Sequence, residues 1–132
     1  MRFSTGLIRP RATVLGNEFA GVVEAVGRDV TSFAVGDRVF GYNEGPFGGY
    51  AEYLSVPQDG SLATMPAGVT YQEAAPSTEG SHYALAHIRE LMESGKFKPV
   101  IDRTYPLDQI VEAYRYVETG QKTGNVVISL EP

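Results

Sequence analysis

The stretch that most restricts how this chain can fold is Gly16-Asn17-Glu18-Phe19-Ala20-Gly21-Val22-Val23-Glu24-Ala25-Val26-Gly27. It is rich in β-branched residues, nearly continuous in its apolar character and closed at both ends by glycine. A short apolar run between turn formers predicts a buried strand, here over residues 18–26.

Further along, the same kind of punctuation recurs. Gly36-Asp37 is a turn signal, and the residues after it, 38–40, predict a short strand, so that this part reads as a hairpin-like step. Residues 42–49 are rich in glycine and polar turn formers and end in Gly48-Gly49, which predicts a loop. Beyond it, residues 50–56 alternate well enough for a strand, and 62–65 predict another. Residues 1–11 carry three Arg and a Pro without periodicity and read as a loop or entry segment.

Helical signals appear in the second half. Thr70-Tyr71-Gln72-Glu73 fits a capping box, in which Thr70 accepts from a free backbone N–H and Glu73 reaches back. Leu85, Ile88 and Met92 recur at helical spacing, and Gly95 supplies a left-handed cap, so a helix is expected over 81–94. Residues 100–105 read as a strand. Leu107, Ile110, Val111, Tyr114 and Val117 mark a second amphipathic helix ending before Gly120, and 125–130 form a closing apolar strand. No internal repeat is visible.

Composition sets the class. Fifteen Gly and eight Pro among 132 residues imply many turns, while 42% hydrophobic residues suffice for one core. The expected fold is therefore a β-rich α+β domain with two or three helices. A formal net charge of −5 and a pI near 5.0 oppose binding to nucleic-acid phosphates or anionic lipid. With no Cys, the chain forms no disulfide, no thiolate nucleophile and no Cys-based zinc knuckle. It has no 18-residue apolar stretch and no signal-peptide core, so no membrane role is expected and a cytoplasmic location follows by default.

Four ordered motifs together resemble one family. They are Gly16-x-Glu18-x-x-Gly21-x-Val23 followed by Val26-Gly27, then Phe33-x-Val35-Gly36-Asp37-Arg38-Val39, then Gly48-Gly49-Tyr50-Ala51-Glu52-Tyr53, and Met65-Pro66 leading to Glu73-Ala74-Ala75. The tail, from Gly95 to Asp102, through Ile110 to Tyr114, to Gly124-Asn125-Val126-Val127-Ile128, continues the likeness. The set is similar to the zinc-independent, quinone-oxidoreductase branch of the medium-chain dehydrogenase/reductase superfamily. Such a resemblance implies a GroES-like partial β-barrel, with residues 1–80 similar to the N-terminal part of that domain and 86–132 to its C-terminal return. In the family a Rossmann domain stands between the two. Here they would join near 83–87 with nothing between, and the family's additional N-terminal strands would be missing as well.

A direct check agrees with an absent dinucleotide domain. No two glycines are separated by a single residue, so the Gly-x-Gly kernel of a dinucleotide loop does not exist. Glu90 stands where a phosphate loop ending in Gly95-Lys96 would need its first glycine. The family reaction, reduction of a quinone or activated enone by NADPH, is implied by the resemblance, but no cofactor is expected for this chain by itself. The leading expectation is a substrate-domain remnant without turnover. Alternatives are an enzyme half completed by a Rossmann domain on another polypeptide, and a non-catalytic oligomeric or scaffold module. Open strand edges would favour self-association.

Few residues carry chemistry. Tyr42, Phe47 and Tyr50 flank the glycine-rich loop and are candidates to line a pocket for a flat quinone or enone, or else are ordinary rim and core aromatics. By position in the family's motifs, Tyr83 and Asn125 are cofactor-binding candidates, with plain readings as a helix-start aromatic and a turn residue. Glu18 is either a functional acid or a structural carboxylate paired with a turn N–H or with Arg38. Asn17 stands where zinc-dependent relatives place a His. His82 and His87 lie five apart, off a common helical face, and are read as surface residues. No catalytic residue and no metal ligand is predicted.

Overall fold

The computed structural model of the chain describes residues 14–43, 48–74 and 82–130, with the backbone alone for 82–84. Two sheets organise it. The first is antiparallel, with strands β1 (Glu18–Val22), β2 (Arg38–Tyr42) and β3 (Leu62–Thr64) in that spatial order. The second pairs β4 (Ile101–Pro106) with β5 (Asn125–Ser129) in parallel. Helix α1 (Tyr71–Ala74) and helix α2 (His82–Glu93) follow β3, and a 3-10 turn (Leu107–Gln109) leads into α3 (Ile110–Glu118) between β4 and β5. The described residues form a mixed α/β fold and no closed barrel.

The hairpin-like step is present. Glu18 lies opposite Tyr42 and Val22 opposite Arg38, and the Val23 N–H reaches the Asp37 carbonyl at 2.9 Å while the Gly36 N–H returns to Val23 at 2.9 Å. Gly36 takes φ +93, a left-handed conformation that a side chain would strain. The Asp37 carboxylate accepts from the Ala34 N–H at 2.8 Å. This turn also shortens β1, which ends at Val22 rather than at residue 26: β2 begins at Arg38, so no partner remains opposite residues 24–26. Nor is β1 buried. It lies at the edge of its sheet, is only partly covered, and leaves Val22 55% exposed. A continuous apolar run does not distinguish an edge strand from a central one.

Residues 50–56 form no strand. Gly49 donates to Gly16 at 2.7 Å and Tyr50 to Leu15 at 2.9 Å, but among the described residues no neighbouring strand carries the pairing further. Alternation supplies two faces and leaves the partner unspecified.

The core gathers on the first sheet. Phe40, on central strand β2, is fully buried with Ala74 and Leu85, and Ala20, Ala63, Met65, Val69 and Ile88 pack around them. Leu85 and Met92 are buried and Ile88 partly so, as the helical spacing predicted. The capping box closes α1 in both directions: Glu73 accepts from the Thr70 N–H at 3.1 Å, and the Glu73 N–H donates back to the Thr70 hydroxyl at 3.3 Å. At the end of α2, Gly95 at φ +68 donates to Met92, and Lys96 donates to Leu91, the two bonds of a Schellman motif.

Around the second sheet the packing is thinner. On α3 only Ala113 is buried, whereas Val111 is 58% exposed and Leu107 38%. The covered stripe therefore runs through Ile110, Ala113 and Tyr114, one step round the helix from the stripe that Leu107 and Val111 suggest. Polar contacts supplement this packing. Asp102 accepts from the Tyr116 hydroxyl at 2.8 Å and from the Thr123 N–H at 2.9 Å, and the Arg103 guanidinium lies 3.8 Å from the centre of the Tyr116 ring.

Candidate functional site

A broad open groove separates the two sheets. One wall comes from β1 and the segment after Gly48-Gly49, and the other from Tyr114 of α3 and the residues of β5. Its described lining is largely apolar. The charged groups on it are the carboxylates Glu18, Glu24 and Glu52, with no Lys, Arg or His among the described lining residues.

Tyr50 is held from several sides. Gly16, at φ +85, lies flat against its ring, and a Cβ at position 16 would fall 2.6 Å from Tyr50 Cδ1. Gly49 is equally constrained, since a Cβ there would lie 2.8 Å from the Glu18 carbonyl oxygen. These glycines allow the loop backbone to approach the entry to β1 closely. Burial pushes the Tyr50 phenol far above the ordinary tyrosine range. Tyr114, by its charge and by a hydrogen bond, and the Glu18 carboxylate act in the same direction. Tyr50 is thus a neutral phenol whose O–H is held by Tyr114.

The candidates assemble in part. Tyr42, the last residue of β2, Tyr50, and Asn125, the first residue of β5, line this one groove although they come from different elements. The Asn125 N–H donates to the Val100 carbonyl at 2.7 Å, which fixes the start of β5. Phe47 lies outside the described residues. Tyr83 belongs to the first turn of α2, and its side chain is likewise outside the described part. His87 is exposed, with Nδ1 3.9 Å from Glu90. The suggested partnership of Glu18 with Arg38 does not suit the register, which places the two at opposite ends of the β1–β2 ladder. Arg38 donates to the Val69 carbonyl at 2.8 Å and stacks 4.6 Å from the Tyr71 ring centre.

Tyr114 was read from the sequence only as one position of an apolar stripe. Its hydroxyl distinguishes it from Ile110 and Val117, but periodicity does not reveal which ring reaches across to another segment. The pairing with Tyr50 depends on tertiary structure.

Neither of the groups that related enzymes use fits these residues. A dinucleotide needs a glycine-lined strand-to-helix junction whose N–H groups face the pyrophosphate. The junction after β4 is Pro106-Leu107-Asp108-Gln109, with no glycine and with a carboxylate in the first turn. A zinc site needs three or four His, Cys or carboxylate donors in one place. The chain has no Cys, and the described residues hold no group of three such side chains positioned for a metal. Asn17 donates from Nδ2 to the Asn43 carbonyl at 3.1 Å, so that this side chain is committed to the backbone. No helix among the described residues is long and apolar enough to cross a membrane.

Fold and groove define a small α/β ligand-binding domain of the dehydrogenase type. The family model described as zinc-binding dehydrogenase matches residues 3–128, and the chain belongs to that family, within the medium-chain dehydrogenase/reductase superfamily. It is 51% identical over 61 residues to a quinone oxidoreductase of Pseudomonas aeruginosa, a match that covers 46% of this chain and 18% of that protein. It is 37% identical over 75 residues to the 2-methylene-furan-3-one reductase of Solanum lycopersicum, covering 55% and 19%. The chain thus spans about a fifth of the length of these relatives. Its fold matches human synaptic vesicle membrane protein VAT-1 homolog-like protein with a TM-score of 0.81 at 14% identity, over 93% of this chain and 82% of that one.

Proposed function

We propose that this chain is the substrate-side module of an NADPH-dependent quinone or enone oxidoreductase, and that it binds a flat, neutral carbonyl compound without reducing it unaided. The observation that carries this reading is the meeting of Tyr42, Tyr50 and Asn125 on one apolar groove between the two sheets. Aromatic faces stack on planar conjugated rings, and the apolar walls favour a neutral ligand over a charged one. The carboxylates Glu18, Glu24 and Glu52 disfavour anionic ligands further.

The family and the names of its relatives associate such chains with oxidoreductase chemistry, in which a nicotinamide supplies a hydride. Efficient transfer requires donor and acceptor to be held at near-attack distance, a contribution on the order of 7–11 kcal/mol to the barrier. The β4–α3 junction supplies no pyrophosphate cradle, so this reading assigns the chain's residues to ligand binding and orientation. The groove walls exclude water from one face of the ligand, and the neutral Tyr50–Tyr114 pair offers a polar anchor.

A titration of the purified chain with NADPH, followed by nicotinamide fluorescence and then by its oxidation on adding a simple quinone, tests the assignment. No saturable NADPH binding and no oxidation above the protein-free rate is the expected result. Saturable binding with turnover overturns it.

A further inference from the structure

The contact between Tyr50 and Tyr114 joins the two sheets across the groove, and its hydrogen-bond arithmetic is incomplete. A phenol has one proton to donate and two lone pairs to receive. Tyr50, its ring held against Gly16, donates to the Tyr114 oxygen. Tyr114 therefore keeps its own proton for another acceptor. Its side chain is partly exposed and lines the groove, opposite a wall of apolar residues from β1.

We propose that Tyr114 is the ligand-facing donor of this groove, giving its phenolic proton in a hydrogen bond to a carbonyl oxygen of a flat neutral ligand, while Tyr50 fixes its orientation. The proposal rests on the reading of the groove as a quinone or enone site and adds the group that distinguishes a carbonyl compound from a hydrocarbon of the same shape. Accepting from Tyr50 polarises the Tyr114 O–H and strengthens the bond it donates. An anionic oxygen is disfavoured by the nearby Glu18 carboxylate, whose charge already acts on Tyr50. Tyr114 is a specificity residue in this account and takes part in no proton transfer.

Menadione and 2-methylnaphthalene share a ring outline and differ in the two carbonyls, so their affinities for the full 132-residue chain, read by tyrosine fluorescence quenching, isolate the polar contact. One hydrogen bond discriminates by roughly three- to tenfold. The expected result is a preference of this size for menadione that disappears in Tyr114→Phe through weaker menadione binding, with 2-methylnaphthalene unchanged, and that shrinks in Tyr50→Phe. A preference unchanged in Tyr114→Phe overturns the donor role and leaves the groove reading intact. Failure of both ligands to bind the unaltered chain overturns the groove reading itself, and the donor role with it. An independent readout needs no variant: the infrared carbonyl stretch of bound, carbonyl-labelled menadione shifts down if one oxygen is hydrogen-bonded, and an unshifted band contradicts the proposal.

Discussion

The two sheets are stabilised by different physics although one short chain builds both. The antiparallel sheet centres on Phe40, which α1 and α2 seal with Ala74 and Leu85. The β4–α3–β5 unit buries only Ala113 on its helix and draws on the hydrogen bonds of Asp102 and the stacking of Arg103 on Tyr116. A dry core tolerates loss of volume poorly and is indifferent to pH, whereas a partly wet polar clip responds to charge and opens locally. The groove lies between the two, so one wall is rigid and the other adjustable.

Phe40→Ala sharpens the comparison most. Removing a fully buried ring is expected to cost about 3–5 kcal/mol, and in a chain of this size that unfolds much of the population, as thermal denaturation would show. Gly16→Ala comes next. The left-handed backbone and the approach to Tyr50 together should cost about 2 kcal/mol, and the displaced ring should reduce ligand quenching before the fold is lost. Thr70→Ala removes the cap of α1 and should lower stability by about 1 kcal/mol, measurable by denaturant titration.

Smaller effects belong to the second unit. Tyr116→Phe should raise amide exchange severalfold in β5 while β2 stays protected; equal acceleration in both would show that the two regions unfold as one. Acid provides the remaining test. The hydrogen bonds from Tyr116 and from the Thr123 N–H hold the Asp102 carboxyl below the ordinary carboxylate range, and those from Thr70 do the same for Glu73. A depressed folded pKa stabilises the fold above the unfolded value, near pH 4, and that contribution is lost as pH falls through the folded value. Below about pH 4, exchange should therefore rise first in β5 and at the start of α1, with the Phe40 core following later.

Local rules made a large part of this fold legible. The Gly36-Asp37 turn, the Thr70–Glu73 box and the Gly95 cap each depend on a few neighbouring residues, and each stands where the residues indicate. Partner choice was the harder part. The 18–26 run gave no sign that its partner stops at Arg38, and residues 50–56 alternate without a ladder to join. Parallel pairing of β4 with β5 follows from the helix between them, yet the stripe on α3 shifts because Ala113, small and inconspicuous, is the residue that packs. At the groove, Tyr42, Tyr50 and Asn125 were within reach of motif positions, whereas Tyr114 acquires its significance only through contact with Tyr50.

The most direct measurement is amide and aromatic chemical-shift mapping of the labelled chain during titration with menadione. The account predicts saturable shifts on both walls at one common midpoint, at Gly16 and Tyr50 on one side and at Tyr114 and Asn125 on the other. Shifts confined to one wall, or none at all, would contradict a ligand site between the two sheets.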